Sequence, residues 1–256
     1  MLQRIDINEI IAIAKKAGDA IMEIYVKDFD IEYKEDTSPL TEADKKANEI
    51  IVDGLNALSI IFPILSEEGR DIPFDERKDW EYFWMVDPLD GTKEFIKKND
   101  EFTVNIALIY QKNPILGVVY APALNEMYWA KQGSGAFKNH VRLPLTVNDT
   151  PEKILTVVAS KSHLSEETEV FIQALKGITE QLTFVSKGSS LKLCMVADGS
   201  ADIYPRLAPT MEWDTAAADA IVREAGKMTY EHPQNSLFVY NKRNLLNPWF
   251  VVRKSV

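Results

Sequence analysis

The feature that most constrains this chain is the segment WMVDPLDGTKEF at residues 84–95. The apolar run at residues 82–86 predicts a buried strand, which leads into a turn that carries Asp87 and Asp90. Pro88 fixes φ in that turn and removes a main-chain donor. Two carboxylates three positions apart around such a turn can converge on one point, which favours a divalent cation with oxygen ligands.

The residues that follow the two acids suit an anion. Gly91 lets the backbone pass close to a ligand, and the amides of Gly91 and Thr92 then face the same point, where they could hold a phosphate oxygen. The segment therefore predicts a site for metal and phosphate. The alternative is a plain solvated turn, because Asp, Pro and Gly are common turn formers.

Composition limits the remaining possibilities. The chain has 256 residues, enough for one large domain or two small ones, and 46% of them are hydrophobic. A net charge of -10 argues against nucleic-acid binding through a general basic surface. A single cysteine, Cys194, excludes an internal disulfide and fits a reducing compartment, and its apolar helical surroundings predict a buried thiol.

No apolar run approaches the roughly 20 residues that a bilayer-spanning helix needs. The first ten residues contain acids where a signal peptide would be apolar. We therefore expect a cytoplasmic protein without an integral membrane segment, either monomer or homodimer; the alternative location is peripheral to the inner membrane.

The first half of the chain predicts an α+β arrangement. Amphipathic helices are expected over 8–25 and from Thr41, where TEAD resembles a capping box with Asp in place of Glu. Strands with short antiparallel links are expected at 62–66, 82–86, 102–110, 115–121, 126–130 and 136–138.

The second half alternates strands and helices, which indicates an α/β unit. The expected strands are 154–159, 182–186 and 202–204, and the expected helices are 165–175, 190–197 and 213–225. The segment 147–153 is the best boundary, so we predict an N-terminal unit at 1–147 that carries the metal and phosphate site. A C-terminal unit at 148–256 would carry the substrate-side contacts.

Four acidic groups lie at the ends of predicted elements: Asp44 in a first helical turn, Glu67 and Glu68 after a strand, Asp87 with Asp90 in the turn, and Asp214 at a helix start. Each alone could be a helix-start charge or a solvated loop residue. Together they would repel one another too strongly to persist without cations.

These residues resemble the inositol monophosphatase superfamily of metal-dependent phosphatases. DPLDGT at 87–92 and WDTAA at 213–217 look like its two signature motifs. KEDTSPLTEAD at 34–44, LSEE at 65–68, EFTVNIAL at 101–108, SKSH at 160–163 and YPR at 204–206 are most similar to its bisphosphate nucleotidase branch. The resemblance covers nearly the whole chain and implies a layered αβαβα sandwich of the sugar phosphatase type.

The resemblance also implies roles for individual residues. Two or three Mg2+ ions would be held by four carboxylates and one main-chain carbonyl, those of Glu67, Asp87, Leu89, Asp90 and Asp214. Asp44 and Thr92 would position and deprotonate the attacking water. The family usually has Gly where this chain has Ala218, whose extra methyl group could crowd the substrate side.

Candidate substrate contacts lie mainly in the second half. The segment 187–190 precedes a helix, where main-chain amides suit an anion, although Ser190 could be an ordinary helix cap. Lys192 and Arg206 could neutralise a second phosphate, or could be surface charges. The full predicted substrate set is Gly91, Thr92, Ser160, Lys161, Ser162, His163, Gly188, Ser189, Lys192, Arg206 and Asp214.

We thus predict a Mg2+-dependent phosphatase that converts adenosine 3',5'-bisphosphate, a small phosphorylated nucleotide, to AMP and phosphate. The sulfate-carrying analogue, 3'-phosphoadenylyl sulfate, is a second expected substrate. Two Mg2+ ions about 3.5–4 Å apart can neutralise the phosphate, lower the pKa of a bound water and stabilise the leaving oxygen. The alternatives are an inositol or sugar monophosphatase on the same metal site and a catalytically silent nucleotide-binding regulatory module.

Overall fold

The computed structural model describes residues 1–27, 39–145, 154–159, 165–177 and 179–254. Two predicted regions lie outside this described part: the substrate residues Ser160, Lys161, Ser162 and His163, and residues 34–38 of the segment KEDTSPLTEAD.

The strands of the described part form two sheets. In the first sheet, neighbouring strands follow one another in chain order: β1 (Ile64–Ser66), β2 (Tyr82–Asp90), β3 (Thr103–Tyr110), β4 (Asn113–Ala121), β5 (Glu126–Lys131), β6 (Gly135–Lys138) and β7 (Val141–Arg142). The pair β1–β2 is parallel, and the later pairs are antiparallel.

The second sheet has the order β11-β12-β10-β8-β9. Its strands are β8 (Ile154–Ala159), β9 (Gln181–Ser186), β10 (Ile203–Arg206), β11 (Lys227–Glu231) and β12 (Phe250–Lys254). Strand β8 pairs in parallel with β9 and β10, as the alternation of strands and helices requires, whereas β12 runs antiparallel to its neighbours.

The helices of the described part are α1 (Ile7–Tyr25), α2 (Pro39–Asn56), α3 (Phe74–Arg77), α4 (Thr92–Ile96), α5 (Glu166–Leu175), α6 (Leu191–Asp198) and α7 (Trp213–Glu224). Asp6 caps α1 by accepting a hydrogen bond from the amide of Asn8 at 2.9 Å. Ser165 caps α5 in the same way through Thr168. No helix here combines the length and the apolar composition of a bilayer-spanning segment.

Alternation along the buried strands divides the molecule into layers. In β2, Trp84 and Val86 pack into the core formed with α1 and α2, whereas Phe83 and Met85 pack into the core shared with α6 and α7. Helix α5 covers the outer face of the second sheet through Ile172 and Leu175. The layer order is therefore helices, sheet, helices, sheet, helix, which confirms the predicted αβαβα sandwich.

The predicted elements are present, with small differences at their ends. Helix α2 begins at Pro39, two residues before the expected start at Thr41, because proline is well suited to a first helical turn. Thr41 is thus inside the helix rather than its cap, and Asp44 lies in the second turn rather than the first. The short elements α3, α4, β7, β11 and β12 were not predicted, since brief segments carry little periodic signal.

The strands of the two sheets come from different halves of the chain, and Cys194 is buried between the sheets as expected. Helix α7 of the second half packs against the first sheet, and α6 packs against α7 and the second sheet, so both halves share one core. The division into units at 1–147 and 148–256 stays a prediction.

Candidate active site

The parallel pair β1–β2 brings the first two acids together. Ser66 lies opposite Val86 in the register, and the amide of Glu67 donates to the carbonyl of Val86 at 3.1 Å. Because parallel strands end at the same edge of a sheet, Glu67 follows β1 at the point where Asp87 occurs in β2. The parallel pairing of β1 and β2 thus makes neighbours of Glu67 and Asp87, which are distant in sequence.

The DPLD turn is a break in the ladder between β2 and β3. Asp87 lies opposite Asn105 and Asp90 opposite Thr103, with a register shift between them. Pro88 has no N–H to donate to the ladder, and the amide of Leu89 instead donates to Oδ1 of Asp87 at 3.1 Å. The irregularity places both carboxylates on the wall of one cavity.

Helix α7 delivers Asp214 to the same place. It lies so close to β4 that a Cβ atom at Gly117 would be 2.1 Å from the carbonyl oxygen of Ala217, which only glycine avoids. Asp214, in the first turn of α7, accepts a hydrogen bond of 2.9 Å from the amide of Met211. Close helix–sheet packing thus brings Asp214 toward the acids of β2.

The three elements create a compact carboxylate cluster. One oxygen each of Glu67, Asp87 and Asp214 lies within 4.8 Å of the others, and Asp87 is buried. Nearby on α2, Oδ1 of Asp44 is buried and makes no hydrogen bond within the described residues. Hard oxygen donors so arranged fit Mg2+, whereas an uncompensated cluster of this kind would be unfavourable.

The electrostatics agree with this interpretation. Burial, together with the charges of Glu68 and Glu67, raises the pKa of Asp44 to about 8. Burial and the charge of Asp214 raise the pKa of Asp90 to about 7, and burial raises the pKa of Asp214 to about 6. Each carboxylate is easier to ionise when a cation binds beside it.

The pKa of Asp87 is raised well above its usual range, first by burial and then by the charge of Asp90. Partial desolvation of its carboxylate also raises the pKa of Glu67, although the residue as a whole is exposed. The pKa values of all five acids are therefore raised, as expected of a metal site without its cation.

Lys192 is the buried cation beside the cluster. Its ammonium donates to the carbonyl oxygens of Ser189 at 2.7 Å and Lys187 at 3.3 Å, and burial lowers its pKa to about 8. The alternative that Lys192 is a surface charge is therefore wrong, since only 7% of it is exposed.

A cavity of about 300 Å3 connects the carboxylates with the predicted substrate side. The predicted site residues on its wall are Glu67, Asp87, Leu89, Asp90, Gly91, Thr92, Ser189, Lys192, Arg206 and Asp214. Two buried atoms on this wall, Oγ of Ser189 and Nε of Arg206, make no hydrogen bond within the described part of the chain. Such atoms are suited to a polar ligand.

Two main-chain amides that were predicted to suit an anion donate to carboxylates of the protein itself. The amide of Gly188 donates to Oε2 of Glu101 at 2.8 Å, and the amide of Ser190 donates to Oδ2 of Asp90 at 2.6 Å. The hydroxyl of Ser190 does not cap α6, because it pairs with Asn105 at 2.8 Å and Thr103 at 2.9 Å. The substrate role of Gly188 stays a prediction.

Ala218 lies away from the cavity wall. It is fully buried in the core between the first sheet and the helices, and α7 contributes Asp214 and Thr215 to the wall instead. The methyl group that departs from the family pattern therefore packs in the core, and the expectation that it crowds the substrate side is wrong.

Several wall residues were missed from the sequence: Tyr204, Thr210, Thr215 and Phe250. The supporting Asn105 was also missed, although a signal was present. A buried amide within the apolar strand 103–110 needs polar partners, and Asn105 finds one in Ser190.

Comparisons with known proteins were consistent with this geometry. The sequence model of the inositol monophosphatase family matches residues 3–250. The chain is 45% identical over 250 residues to the 3'(2'),5'-bisphosphate nucleotidase CysQ of Salmonella typhimurium, covering 96% of this chain and 98% of that protein. The CysQ protein of Escherichia coli strain K12 is also 45% identical, over 251 residues, with the same coverage.

Among solved structures, the crystal structure of CysQ from Bacteroides thetaiotaomicron has a TM-score of 0.90 to this fold. The two chains are 46% identical, and the match covers 96% of this chain and 97% of the other. That protein is a bacterial member of the inositol monophosphatase family.

Proposed function

Since the chain belongs to the inositol monophosphatase family, we propose that it is a Mg2+-dependent phosphatase that hydrolyses adenosine 3',5'-bisphosphate to AMP and phosphate. 3'-Phosphoadenylyl sulfate is the second substrate of the proposal. A monomer or homodimer in the cytoplasm stays a prediction.

One observation carries the proposal: the wall of a single cavity has both a carboxylate cluster, which suits metal, and the cationic side chains of Lys93, Lys192 and Arg206, which suit an anion. A substrate with one phosphate for the metal and another for these cations fits such a wall better than a monophosphate does. Charge-assisted contacts to phosphate are among the stronger hydrogen bonds.

In this proposal Glu67, Asp87, Asp90, Asp214 and the carbonyl of Leu89 hold the metal. Bound Mg2+ supplies neutralisation of the phosphate charge and a water of lowered pKa. The donor set is entirely oxygen and mostly anionic, as Mg2+ prefers.

The chain's own contribution to the chemistry comes from Asp44 and Thr92. Oδ1 of Asp44 is buried and makes no hydrogen bond within the described residues, and bound metal would favour the ionised carboxylate, which would then accept a proton from the attacking water. Thr92 begins α4 on the cavity wall, where its hydroxyl would hold the attacking water in line with the phosphate.

Arg206 and Ser189 would bind the phosphate that does not react. Nη2 of Arg206 donates to the carbonyl of Pro209 at 2.9 Å, which steadies the guanidinium, while the buried Nε is left for a ligand. Binding energy from this remote 5'-phosphate would position the scissile 3'-phosphate over the metals.

The direct test is a phosphate-release assay with adenosine 3',5'-bisphosphate, AMP and inositol 1-phosphate, with Mg2+ and with EDTA. We expect the highest kcat/KM for the bisphosphate and no turnover in EDTA. A preference for inositol 1-phosphate would favour the sugar phosphatase alternative. Nucleotide binding without any turnover would favour the silent module.

A further inference from the structure

A buried hydrogen-bond network joins α3 to the residue that precedes α7, and it begins at Arg77. Residues 67–71 between β1 and β2 are exposed, so little packing holds them in place. Arg77, at the end of α3, is buried, and its Nε donates to the carbonyl of Ile72 at 3.3 Å. Arg77 thereby anchors the segment that starts at Glu67.

The same guanidinium reaches across the fold to Asn241. Nη1 of Arg77 donates to Oδ1 of Asn241 at 2.6 Å, and Nδ2 of Asn241 donates back to the carbonyl of Arg77 at 2.8 Å. Asn241 is also buried. Its φ of 62° lies in the left-handed region that Asn and Gly tolerate.

Glu212 joins this pair to the start of α7. Its Oε2 accepts from the amide of Asn241 at 2.6 Å, and its Oε1 accepts from the amide of Lys242 at 2.9 Å and from that residue's ammonium at 2.7 Å. Glu212 is fully buried, and its carbonyl accepts the amide of Ala216 at 3.0 Å in the first turn of α7. Asp214 is two residues further along.

We propose that Arg77, Asn241 and Glu212 are positioning residues that fix the distance between Glu67 and Asp214, and thereby set the affinity of the site for Mg2+. The chain of contacts runs from the segment after Glu67, through Arg77 and Asn241, to the helix turn that carries Asp214. This inference rests on the metal site of the proposed function.

The physical reason is that Mg2+ requires near-ideal octahedral geometry and tolerates little displacement of its ligands. Glu67 follows a short edge strand and Asp214 begins a helix, so the sheet alone does not hold them at one separation. A buried charged network with directional contacts can hold such a separation, because breaking any member leaves others without partners.

Asn241→Gly is the sharpest test. Glycine accepts the left-handed backbone and keeps the amide that donates to Glu212, so the side-chain link to Arg77 is lost, while the contact from Nη2 of Arg77 to the carbonyl of Arg243 at 3.1 Å remains. The matched control is Asn235→Gly, at φ 58°, where an exposed asparagine accepts a hydrogen bond of 2.9 Å from Arg253. Both changes remove an asparagine–arginine contact at a left-handed position.

The measurement is calorimetric titration of Mg2+ into each protein, below the unfolding temperature of every variant as found by circular dichroism. We expect Asn241→Gly to raise the Mg2+ dissociation constant about tenfold and the control to leave it unchanged. Arg77→Lys is the second variant if Asn241→Gly does not fold: it removes the guanidinium that contacts Ile72, Asn241 and Arg243, and it should also weaken Mg2+ binding.

Two negative results are distinguishable. Mg2+ affinity that is unchanged in folded Asn241→Gly, or in folded Arg77→Lys, overturns the positioning role and leaves the proposed function intact. A wild type that binds no Mg2+ contradicts the metal site itself, and with it both proposals. Loss of thermal stability with unchanged Mg2+ affinity would show a purely structural network.

Discussion

The main-chain amide of Ser190 donates a hydrogen bond of 2.6 Å to Oδ2 of Asp90, between residues separated by 100 positions in the chain. Ser190 immediately precedes α6, so the carboxylate meets the positive end of that helix. This contact opposes the effect of burial on the pKa of Asp90. It also ties the DPLD turn of the first half to a helix of the second.

Asp90→Asn should abolish turnover and leave the fold intact. Asparagine keeps an oxygen for the Ser190 amide, but it removes a charge that the metal needs and relieves repulsion from Asp214. Phosphate release at saturating Mg2+ tests the loss of turnover, and the Tm in EDTA tests whether the fold is intact. The exposed Asp53→Asn on α2 is the control. Near-normal activity of folded Asp90→Asn would remove Asp90 from the site.

Thr92→Ala should lower kcat with little change in KM. The hydroxyl is proposed to orient the attacking water, which matters mainly in the transition state, so a loss of about 100-fold is reasonable. Steady-state kinetics on adenosine 3',5'-bisphosphate measure it, and Thr92→Ser, which keeps the hydroxyl, should retain activity. A change confined to KM would make Thr92 a phosphate-binding residue instead.

Arg206→Ala should reduce kcat/KM on the bisphosphate far more than on adenosine 3'-monophosphate, which has the scissile phosphate but lacks the 5'-phosphate. A charge-assisted contact to the second phosphate is worth about 1.5–3 kcal/mol, or about one to two orders of magnitude in rate. Both substrates are compared side by side with wild type and with Arg142→Ala, which removes an exposed arginine of β7. Equal losses on both substrates would show that Arg206 does not recognise that phosphate.

The stability of the metal-free protein should fall as pH rises, whereas the additional stability conferred by Mg2+ should grow. Asp44, Asp90 and Asp214 have pKa values raised to about 8, 7 and 6, so in the metal-free protein they favour folding when protonated. That contribution is lost as pH rises through these values. We expect the Mg2+-induced increase in Tm to grow from about pH 5 to about pH 9, because the metal binds the ionised carboxylates.

Thermal melts in Mg2+ and in EDTA across this pH range provide the measurement for that prediction. Asp90→Asn, which lacks one of the titrating groups, should show a shallower dependence. A Mg2+-induced increase in Tm that becomes smaller with rising pH would contradict the expectation.

Gly91→Ala should destabilise the protein more than Gly133→Ala. Both glycines have positive φ, 97° and 79°, and alanine in such a conformation costs about 1–2 kcal/mol. At Gly91 the new methyl would also lie 3.2 Å from Cα of Phe102, whereas at Gly133 it would meet nothing within 4 Å. Chemical denaturation of both variants measures the difference, and equal losses would mean that crowding at Gly91 is relieved without cost.

Much of the fold was predictable because its signals are local. Strand β8 and helix α5 follow from the apolar periodicity of their own residues and, for α5, from the Ser165 cap. The acids of the DPLD turn were identifiable for the same reason: Pro88 and Gly91 shape the backbone within a few residues of the carboxylates they present.

Which distant residues join those acids is decided by tertiary structure. Parallel pairing of β1 and β2 places Glu67 beside Asp87, and close packing of α7 on Gly117 brings in Asp214. Glu212 and Asn241 gave no signal, since a buried glutamate at a helix start is indistinguishable in sequence from an exposed one. Local sequence sets the backbone of each segment and the chemistry of each group, whereas the distances between the groups depend on packing between segments, which no short stretch of the chain encodes.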